Sequence, residues 1–294
     1  MKAWIEAMRL RTLPVSLAGV VAALGYTRLL SRPNWLIIAL CIAFATLAQI
    51  ASNFANEYFD YKAGLDRPGR EGPRRGVTEG DITPRAMKRA TFVTLGVACC
   101  IGLTLIYWGG WQILLFGIII VLGALAYSTG PFPLSRYCMG EVAVICFFGL
   151  APVCLTYYLN AGNVEPYVVA GSISIGLMGA NVLLVNNIRD IHDDRAVGKH
   201  TLATVFGRRF ASFLYFINGW LAVWLMGSVW LWIGGAWLAV PSVYVVAHTT
   251  LWYRIDSLSR RATKTPAEAR FLNPCLGITA CLMALYAALF AIAA

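Results

Sequence analysis

The sequence predicts an all-α, polytopic membrane protein with about nine transmembrane helices. Hydrophobic residues make up 59% of its 294 residues and charged residues only 13%, and the mean hydropathy is +0.67. Stretches of about 18 or more apolar residues recur along the chain, a length that crosses the hydrocarbon core of a bilayer as a helix. A lipid bilayer is therefore the expected environment of most of the chain.

The predicted spans are apolar runs separated by polar or glycine-containing connections. In chain order they cover about residues 13–30, 35–55, 91–108, 111–128, 141–160, 166–187, 211–229, 230–251 and 273–293. No clear cleavage site follows the first run, which is therefore predicted to be a span and not a signal peptide. Thr83 and Pro84 form a helix start before the third run, as N-cap and first helical residue. The connections near 109–110 and 229–230 leave room only for tight turns.

Positive charge lies almost entirely on one side of the predicted bundle. All but two of the 24 Lys and Arg residues precede the first span or lie in every second connection, and the exceptions are Arg28 and Arg32. The positive-inside rule then places the N-terminus and these connections in the cytoplasm and the C-terminus outside a cell (inner) membrane. The same rule explains the net charge of +10 without a nucleic-acid partner.

Two acidic segments follow the second and sixth spans on the predicted cytoplasmic side, at 56–66 and 186–199. Of the 14 Asp and Glu residues, nine lie in or just after these segments: Glu57, Asp60, Asp66, Glu71, Glu79, Asp81, Asp190, Asp193 and Asp194. A carboxylate costs roughly 2.5–3.5 kcal/mol at the centre of a membrane helix. This concentration near lipid therefore favours a bound partner, and a pair of hard divalent cations fits best.

The spacing of these residues predicts two opposed sets of oxygen ligands. Residues four apart share a helix face, and Gly64 can end the first helix so that the chain turns back. Oxygen ligands without Cys or His suit Mg²⁺, which substrate phosphates usually complete. The predicted metal ligands are Asn56, Asp60, Asp66, Asp190 and Asp194. Further polar residues predicted to support these ligands are Gln49, Asn53, Glu57, Asn186 and Asn187.

Basic residues are interleaved with the acidic ones. Carboxylates together with Arg and Lys suit a metal ion that carries a phosphorylated anion. The basic residues predicted to bind this anion are Arg70, Arg74, Arg75, Arg189 and Lys199. Neither a P-loop nor a dinucleotide-binding glycine motif occurs in the sequence, which disfavours nucleotide sites of those kinds.

The two acidic segments lie about 130 residues apart and show the same order of span, acidic motif and basic loop. This pattern indicates a weak internal repeat within a single domain, 1–294, with halves near 1–130 and 131–294. A duplication of this kind would place the two motifs opposite each other across the bundle.

At these motifs the chain resembles the UbiA superfamily of intramembrane aromatic prenyltransferases, and most of all its 1,4-dihydroxy-2-naphthoate polyprenyltransferase branch. One signature runs from Asn53 to Asp66 and the other from Asn186 to Leu202. Shorter matches are Arg11–Pro14, Arg70–Arg75, Gly80–Pro84, Tyr127–Pro131, Gly140-Glu141, Phe147–Gly149 and Leu272–Pro274. Two features depart from the branch: Glu57 replaces an Asp, and residues 134–139 differ from its usual loop.

The resemblance implies a fold and an activity. The helices should surround a central cavity that is capped by cytoplasmic loops and open to lipid. A polyprenyl diphosphate and Mg²⁺ should bind there, and the prenyl group should pass to an aromatic acceptor, dihydroxynaphthoate, giving demethylmenaquinone. The residues expected to be catalytic are Asp60, Asp190, Lys199 and Tyr127. The residues expected to contact the acceptor, or to support those that do, are Gln49, Asn53, Glu57, Asn186 and Asn187.

Three alternatives remain open at this point. A secondary transporter would also carry intramembrane acids, but these usually lie near the midplane. Another transferase of the same superfamily could use 4-hydroxybenzoate, a chlorin, haem or a glycerol phosphate. A CDP-alcohol phosphotransferase is also Mg²⁺-dependent, but its Asp-Gly and Ala-Arg pattern is not found.

Overall fold

A computed structural model describes residues 2–30, 32–66, 74–260 and 272–294, with the side chains of 258–260 excepted. Within these ranges the regular secondary structure is helical, and the one β-type pairing is an isolated bridge between Tyr137 and His200. In chain order the helices are α1 Lys2–Met8, α2 Leu13–Leu30, α3 Trp35–Lys62, α4 Pro84–Thr104, α5 Ile106–Ala126, α6 Gly140–Val144, α7 Ala151–Ala161, α8 Pro166–Arg189, α9 Ile191–Ala196, α10 Leu202–Phe206, α11 Arg208–Leu225, α12 Gly227–Ile233, α13 Ala239–Arg260 and α14 Leu272–Ala293. A π-helical segment, Ile145–Leu150, joins α6 to α7.

The described residues contain seven helices that are long and apolar enough to cross a membrane, or eight if the bent pair α11 and α12 forms one span. This confirms a polytopic membrane protein, but the predicted count of nine is not confirmed. The difference is α13, whose polar side chains include His248, Arg254 and Asp256.

The predicted break between the seventh and eighth spans is misplaced. It was expected near 229–230, but α11 and α12 meet at Met226 with a bend of 44°. α12 then continues to Ile233, and the chain turns at Gly234 and Gly235, which both have positive φ angles. The apolar side chains around 230 gave no sign of this boundary because they suit either helix.

Capping residues determine where two of the long helices begin. The side chain of Asn34 accepts hydrogen bonds from the backbone N–H groups of Leu36 and Ile37 at the start of α3. Thr83 caps α4 in the same manner, with Pro84 as its first residue, as the sequence predicts. Such caps satisfy backbone donors that have no partner within the helix.

Small residues bring α8 close to the π-helical segment. A Cβ atom at Gly149 would overlap the backbone of Ser172 and Gly176, so this contact requires glycine. Close backbone approach through small residues is the usual way in which membrane helices pack. α8 thereby lies in the middle of the bundle, and its C-terminal end carries the second acidic segment.

Two segments cover the end of the bundle that carries the acidic motifs. α1 packs on α3 through Trp4 and Phe54, whose ring centroids are 5.7 Å apart. The turn after residue 74 buries Val77 and Ile82 against the same part of α3. We call this covered end the polar end.

Candidate active site

A single cavity of about 1340 Å³ joins the two acidic motifs. Its polar lining residues include Arg9, Arg11, Gln49, Asn53, Asn56, Asp60, Arg74, Arg75, Tyr127, Glu141, Asn186, Asn187, Arg189, Asp190, Lys199 and Asn273. Apolar side chains of α2, α3, α5, α7 and several other helices line much of the remainder. The predicted meeting of the two motifs in one space is therefore present.

Arg75 lies among three residues of the first motif. Its Nη2 atom donates a hydrogen bond to Oδ1 of Asn56 at 3.1 Å and lies 3.7 Å from Oδ2 of Asp60. Its Nε atom lies 3.3 Å from Oδ2 of Asp66. α3 ends at Lys62 and Gly64 has a φ angle of 68°, so the chain does turn back and brings Asp66 to the same guanidinium as Asp60.

The remaining terminal nitrogen of Arg75, Nη1, is buried and has no hydrogen-bond partner among the described residues. Leaving a buried charged donor unsatisfied is costly. Because Arg75 also lines the cavity, this nitrogen suits an anionic ligand bound there.

The side chain of Asn56 forms hydrogen bonds with two further residues. Its Oδ1 atom also accepts a hydrogen bond from Arg9 at 3.2 Å, and its Nδ2 atom donates to Oγ of Ser128 at 3.2 Å. Arg9 has a left-handed backbone conformation, with φ 50°, which is uncommon for a residue with a side chain. That turn lets the Arg9 side chain reach α3.

Asp60 has a second cationic partner. Arg136, in the connection between α5 and α6, donates from Nη2 to Oδ1 of Asp60 at 3.3 Å and to the carbonyl of Ser128 at 3.2 Å. The Arg136 carbonyl accepts a hydrogen bond from the N–H of His200, which follows Lys199. This connection therefore links the first acidic motif to the second.

The second motif is organised around Arg189. Its guanidinium donates two hydrogen bonds to the carboxylate of Asp190, at 2.7 and 2.8 Å. It also donates to the side-chain oxygens of Asn186 at 2.6 Å and Asn273 at 3.0 Å. Paired N–H···O contacts of this kind fix orientation as well as charge.

The helix stripe predicted from Asn186 to Asp194 is interrupted. α8 ends at Arg189, Asp190 is the residue between helices, and Asp194 lies on the short α9. Asp194 contacts Nζ of Lys199 at 3.4 Å. The physical reason is the non-helical backbone at Asp190, with φ −88° and ψ 8°, which periodicity alone does not reveal.

Several polar residues of the first motif support the covering segments. The Oε1 atom of Glu57 accepts a hydrogen bond from the N–H of Val77 at 3.0 Å, and Glu57 is fully buried. Asn53 donates to the carbonyl of Met8 at 2.9 Å, and Gln49 donates to Oγ1 of Thr12 at 3.1 Å. These bonds hold the N-terminal segment and the turn after residue 74 onto α3.

Tyr127 follows α5 and lines the cavity near both motifs. Burial raises the pKa of its phenol well above the ordinary value, and the carboxylates of Glu141 and Asp60 raise it further. The phenol is therefore protonated at neutral pH and is not a base. Beside it, Oε1 of Glu141 accepts a hydrogen bond from Asn187 at 2.9 Å.

The predicted site residues fall into two groups. Most line the cavity, whereas Glu57, Asp66 and Asp194 are not among its lining residues. Arg70 lies outside the described residues. Five further residues of the site, which sequence spacing alone does not predict, are Arg9, Ser128, Arg136, Glu141 and Asn273. The short matches Tyr127–Pro131, Gly140-Glu141 and Leu272–Pro274 were a signal for three of them: Ser128, Glu141 and Asn273.

The chemistry of the donor set fits Mg²⁺ completed by a ligand. Within the described residues, no three His, Cys, Asp or Glu side chains form a group that could hold a metal ion by themselves. Asn56 and Asp60 on one side, and Asn186 and Asp190 on the other, offer only oxygen ligands to the same cavity. Mg²⁺ commonly binds to one or two carboxylates, with waters and phosphate oxygens as its other ligands.

Comparison with known proteins agrees with this geometry. The model of the UbiA prenyltransferase family matches residues 12–275. The chain is 34% identical over 212 residues to the 1,4-dihydroxy-2-naphthoate octaprenyltransferase of Escherichia coli K12, covering 70% of this chain and 69% of that protein. It is 35% identical over 220 residues to the octaprenyltransferase of the same name from Mycobacterium tuberculosis, covering 75% and 74%.

Solved structures share the fold. A UbiA homologue from Archaeoglobus fulgidus bound to DMAPP and Mg²⁺ superposes with a TM-score of 0.69 at 14% identity, over 97% of each chain. A UbiA homologue from Aeropyrum pernix K1 gives a TM-score of 0.68 at 16% identity, over 95% of this chain and 98% of the other.

Proposed function

Because the chain belongs to the UbiA prenyltransferase family, we propose that it transfers a polyprenyl group from a polyprenyl diphosphate to 1,4-dihydroxy-2-naphthoate. The product is the demethylated quinol of menaquinone biosynthesis, and the reaction depends on Mg²⁺. One observation carries this proposal: a single cavity has acidic and basic residues at its polar end and apolar walls beyond them. The charged end suits the diphosphate of a prenyl diphosphate, and the apolar walls suit its prenyl tail.

The residues that would hold Mg²⁺ are Asn56, Asp60, Asp66, Asp190 and Asp194. When bound, Mg²⁺ withdraws negative charge from the diphosphate and makes it a better leaving group. The Archaeoglobus homologue that shares this fold was solved with DMAPP and Mg²⁺, which supports a metal-bound prenyl diphosphate. The choice of these five residues rests on the oxygen donor set of this chain.

Five basic residues are proposed to bind the diphosphate: Arg70, Arg74, Arg75, Arg189 and Lys199. Carboxylate and amide oxygens of the two motifs already orient Arg75 and Arg189. Cations held in this way stabilise a developing negative charge with little reorganisation, which is the main electrostatic source of catalysis. Arg74 is more exposed and is paired with Asp81 at 2.6 Å, so its share is expected to be smaller.

The bond changes balance without a general base. The allylic C1–O bond breaks, and the diphosphate leaves with the electron pair. A ring carbon of the naphthoate forms the new bond to C1, and its carboxylate leaves as CO₂, returning electrons to the ring. A protonated Tyr127 is compatible with this reaction. Its ring can face the electron-poor carbon, and its hydroxyl does not need to accept a proton.

The acceptor is proposed to bind at the polar end beside the diphosphate. Gln49, Asn53, Asn186 and Asn187 line that part of the cavity and offer amide groups to hydroxyl and carboxylate oxygens. Glu57 supports this region from behind through Val77.

The protein spans a membrane several times. We further propose that this is the cell membrane, with the N-terminus and the acidic loops in the cytoplasm and the C-terminus outside. The asymmetric placement of Lys and Arg supports this orientation.

The direct test uses protein purified in detergent, with Mg²⁺, a polyprenyl diphosphate and dihydroxynaphthoate. We expect a prenylated naphthoquinol together with diphosphate and CO₂. Turnover with 4-hydroxybenzoate but not with dihydroxynaphthoate would reassign the acceptor. Failure with every aromatic acceptor, alongside substrate flux in liposomes, would favour a transporter and overturn the proposal.

A further inference from the structure

α5 forms one wall of the cavity and is buried against the bundle near its two ends. Toward the polar end, Gly123 packs so closely on Phe147 that a Cβ atom there would overlap the ring. Toward the other end, a Cβ atom at Gly109 would lie 2.8 Å from Cδ2 of Leu159, and Ile113 is buried. None of the residues from 114 to 122, all of them described, is buried.

Gly117 lies near the middle of this stretch of residues that are not buried. It lines the cavity, and no heavy atom of the described residues lies within 4 Å of a Cβ atom built on it. Ile113 and Val121, four residues away on either side, also line the cavity, so the missing side chain of Gly117 would point inward. The space in front of Gly117 is thus part of the cavity.

The position of Gly117 along the cavity matters for a long apolar substrate. Gly117 is ten residues before Tyr127, which directly follows α5, and so lies about 15 Å from the polar end at 1.5 Å per residue. Beyond it the cavity continues to Cys41, Leu105, Ile113 and Leu159, which are buried apolar residues. A short prenyl tail would end before Gly117, whereas a tail of many isoprene units would pass it.

We infer that Gly117 determines which donors the enzyme accepts, because the absence of a side chain there leaves a passage for the distal part of a long polyprenyl tail. This inference rests on the proposed function, since it names the residue that admits the long donor. Phe147 and Gly123 lie nearer the polar end, where the tails of short and long donors both pass. They are therefore not expected to discriminate by length.

Gly117→Leu tests the inference, with octaprenyl diphosphate and geranyl diphosphate as alternative donors for the same acceptor. We expect kcat/KM for the octaprenyl donor to fall by about tenfold or more, as expected when a pocket loses space for part of its substrate, with the geranyl donor changed less than about twofold. Gly117→Ala should give a smaller shift in the same direction.

Gly96→Leu is the matched control. Gly96 is also in a membrane helix and also has no heavy atom of the described residues within 4 Å of a built Cβ, but it is exposed and does not line the cavity. It should leave both donors unchanged. Equal loss for both donors in the two Gly117 variants, or no loss for the long donor, would overturn the inference while wild-type turnover upholds the proposed function.

Discussion

The guanidinium of Arg136 donates a hydrogen bond to Oδ1 of Asp60 over 3.3 Å, although the two residues are 76 positions apart in the chain. The backbone of the same residue pairs with His200 beside the second motif. Arg136 therefore links the first acidic motif, through its side chain, to the second, through its backbone.

Replacing Arg136 with Gln should lower kcat/KM by roughly thirtyfold, corresponding to about 2 kcal/mol for a charge-assisted hydrogen bond. Arg136→Lys should recover part of the loss because it keeps the charge. Arg85→Gln, at an exposed position on α4, is the control for lost surface charge. Steady-state kinetics with both substrates would measure the effect, and equal rates for Arg136→Gln and Arg85→Gln would refute the role.

Asp60→Asn and Asp190→Asn should each reduce turnover by at least about a hundredfold, since each removes charge from the proposed metal and diphosphate site. Thermal unfolding in detergent should show that both variants remain folded. Glu165→Gln, in the connection between α7 and α8, should behave like the wild type. Near-wild-type rates in the two Asp variants would show that the metal assignment is wrong.

Arg75 and Arg74 are neighbours in sequence but differ in burial and in partners. Their replacement is therefore expected to affect donor binding to different extents. Arg75 is buried among Asn56, Asp60 and Asp66, whereas Arg74 is largely exposed. Arg75→Lys should raise the KM for the prenyl diphosphate about tenfold because an ammonium group lacks the planar fork. Arg74→Lys should change it less than about threefold. Donor titrations at saturating acceptor would compare them, and the reverse order would contradict the geometry.

Tyr127 should act through its ring and not through its hydroxyl. Tyr127→Phe should retain turnover within about threefold, while Tyr127→Leu should lose roughly tenfold, a change of the size of a cation–π contact. Because burial raises the pKa of the phenol, the wild type and Tyr127→Phe should have pH–rate profiles of the same shape between about pH 7 and 10. A basic limb present only in the wild type would count against this.

The raised pKa of Tyr127 also has a consequence for stability. Above about pH 10 the phenol ionises in the unfolded chain but stays protonated in the folded protein. The free energy of unfolding should therefore decrease as the pH rises through that range, and less so in Tyr127→Phe. Denaturant melts at pH 8 and pH 11 would reveal the difference.

Local sequence signals predicted much of the fold and part of the site. Apolar runs located the long helices, and Thr83 with Pro84 marked the start of α4. Gly64 indicated the turn that brings Asp66 back to Asp60. These features depend on residues close together in the chain, which is why the sequence alone reveals them. The division into two repeated halves remains a prediction.

The remaining features depend on tertiary contacts. Nothing in the spacing of Arg75 or Arg136 specifies that both would reach Asp60, because their loops could follow other paths. The end of α8 at Arg189 is not predicted by the sequence, because polar residues continue at a spacing of four residues from Asn186 to Asp194. The short α12 was missed because Trp230 and its neighbours are as apolar as a continuing span.

An arginine side chain is paired with the carboxylates of each acidic motif: Arg75 with the first and Arg189 with the second. The folded protein therefore does not need a divalent ion to offset repulsion among these carboxylates. Chelating agents should stop turnover yet leave the melting temperature almost unchanged, and readdition of Mg²⁺ should restore full activity. Purification and storage in EDTA are thus a practical way to obtain a homogeneous starting state for single-turnover work.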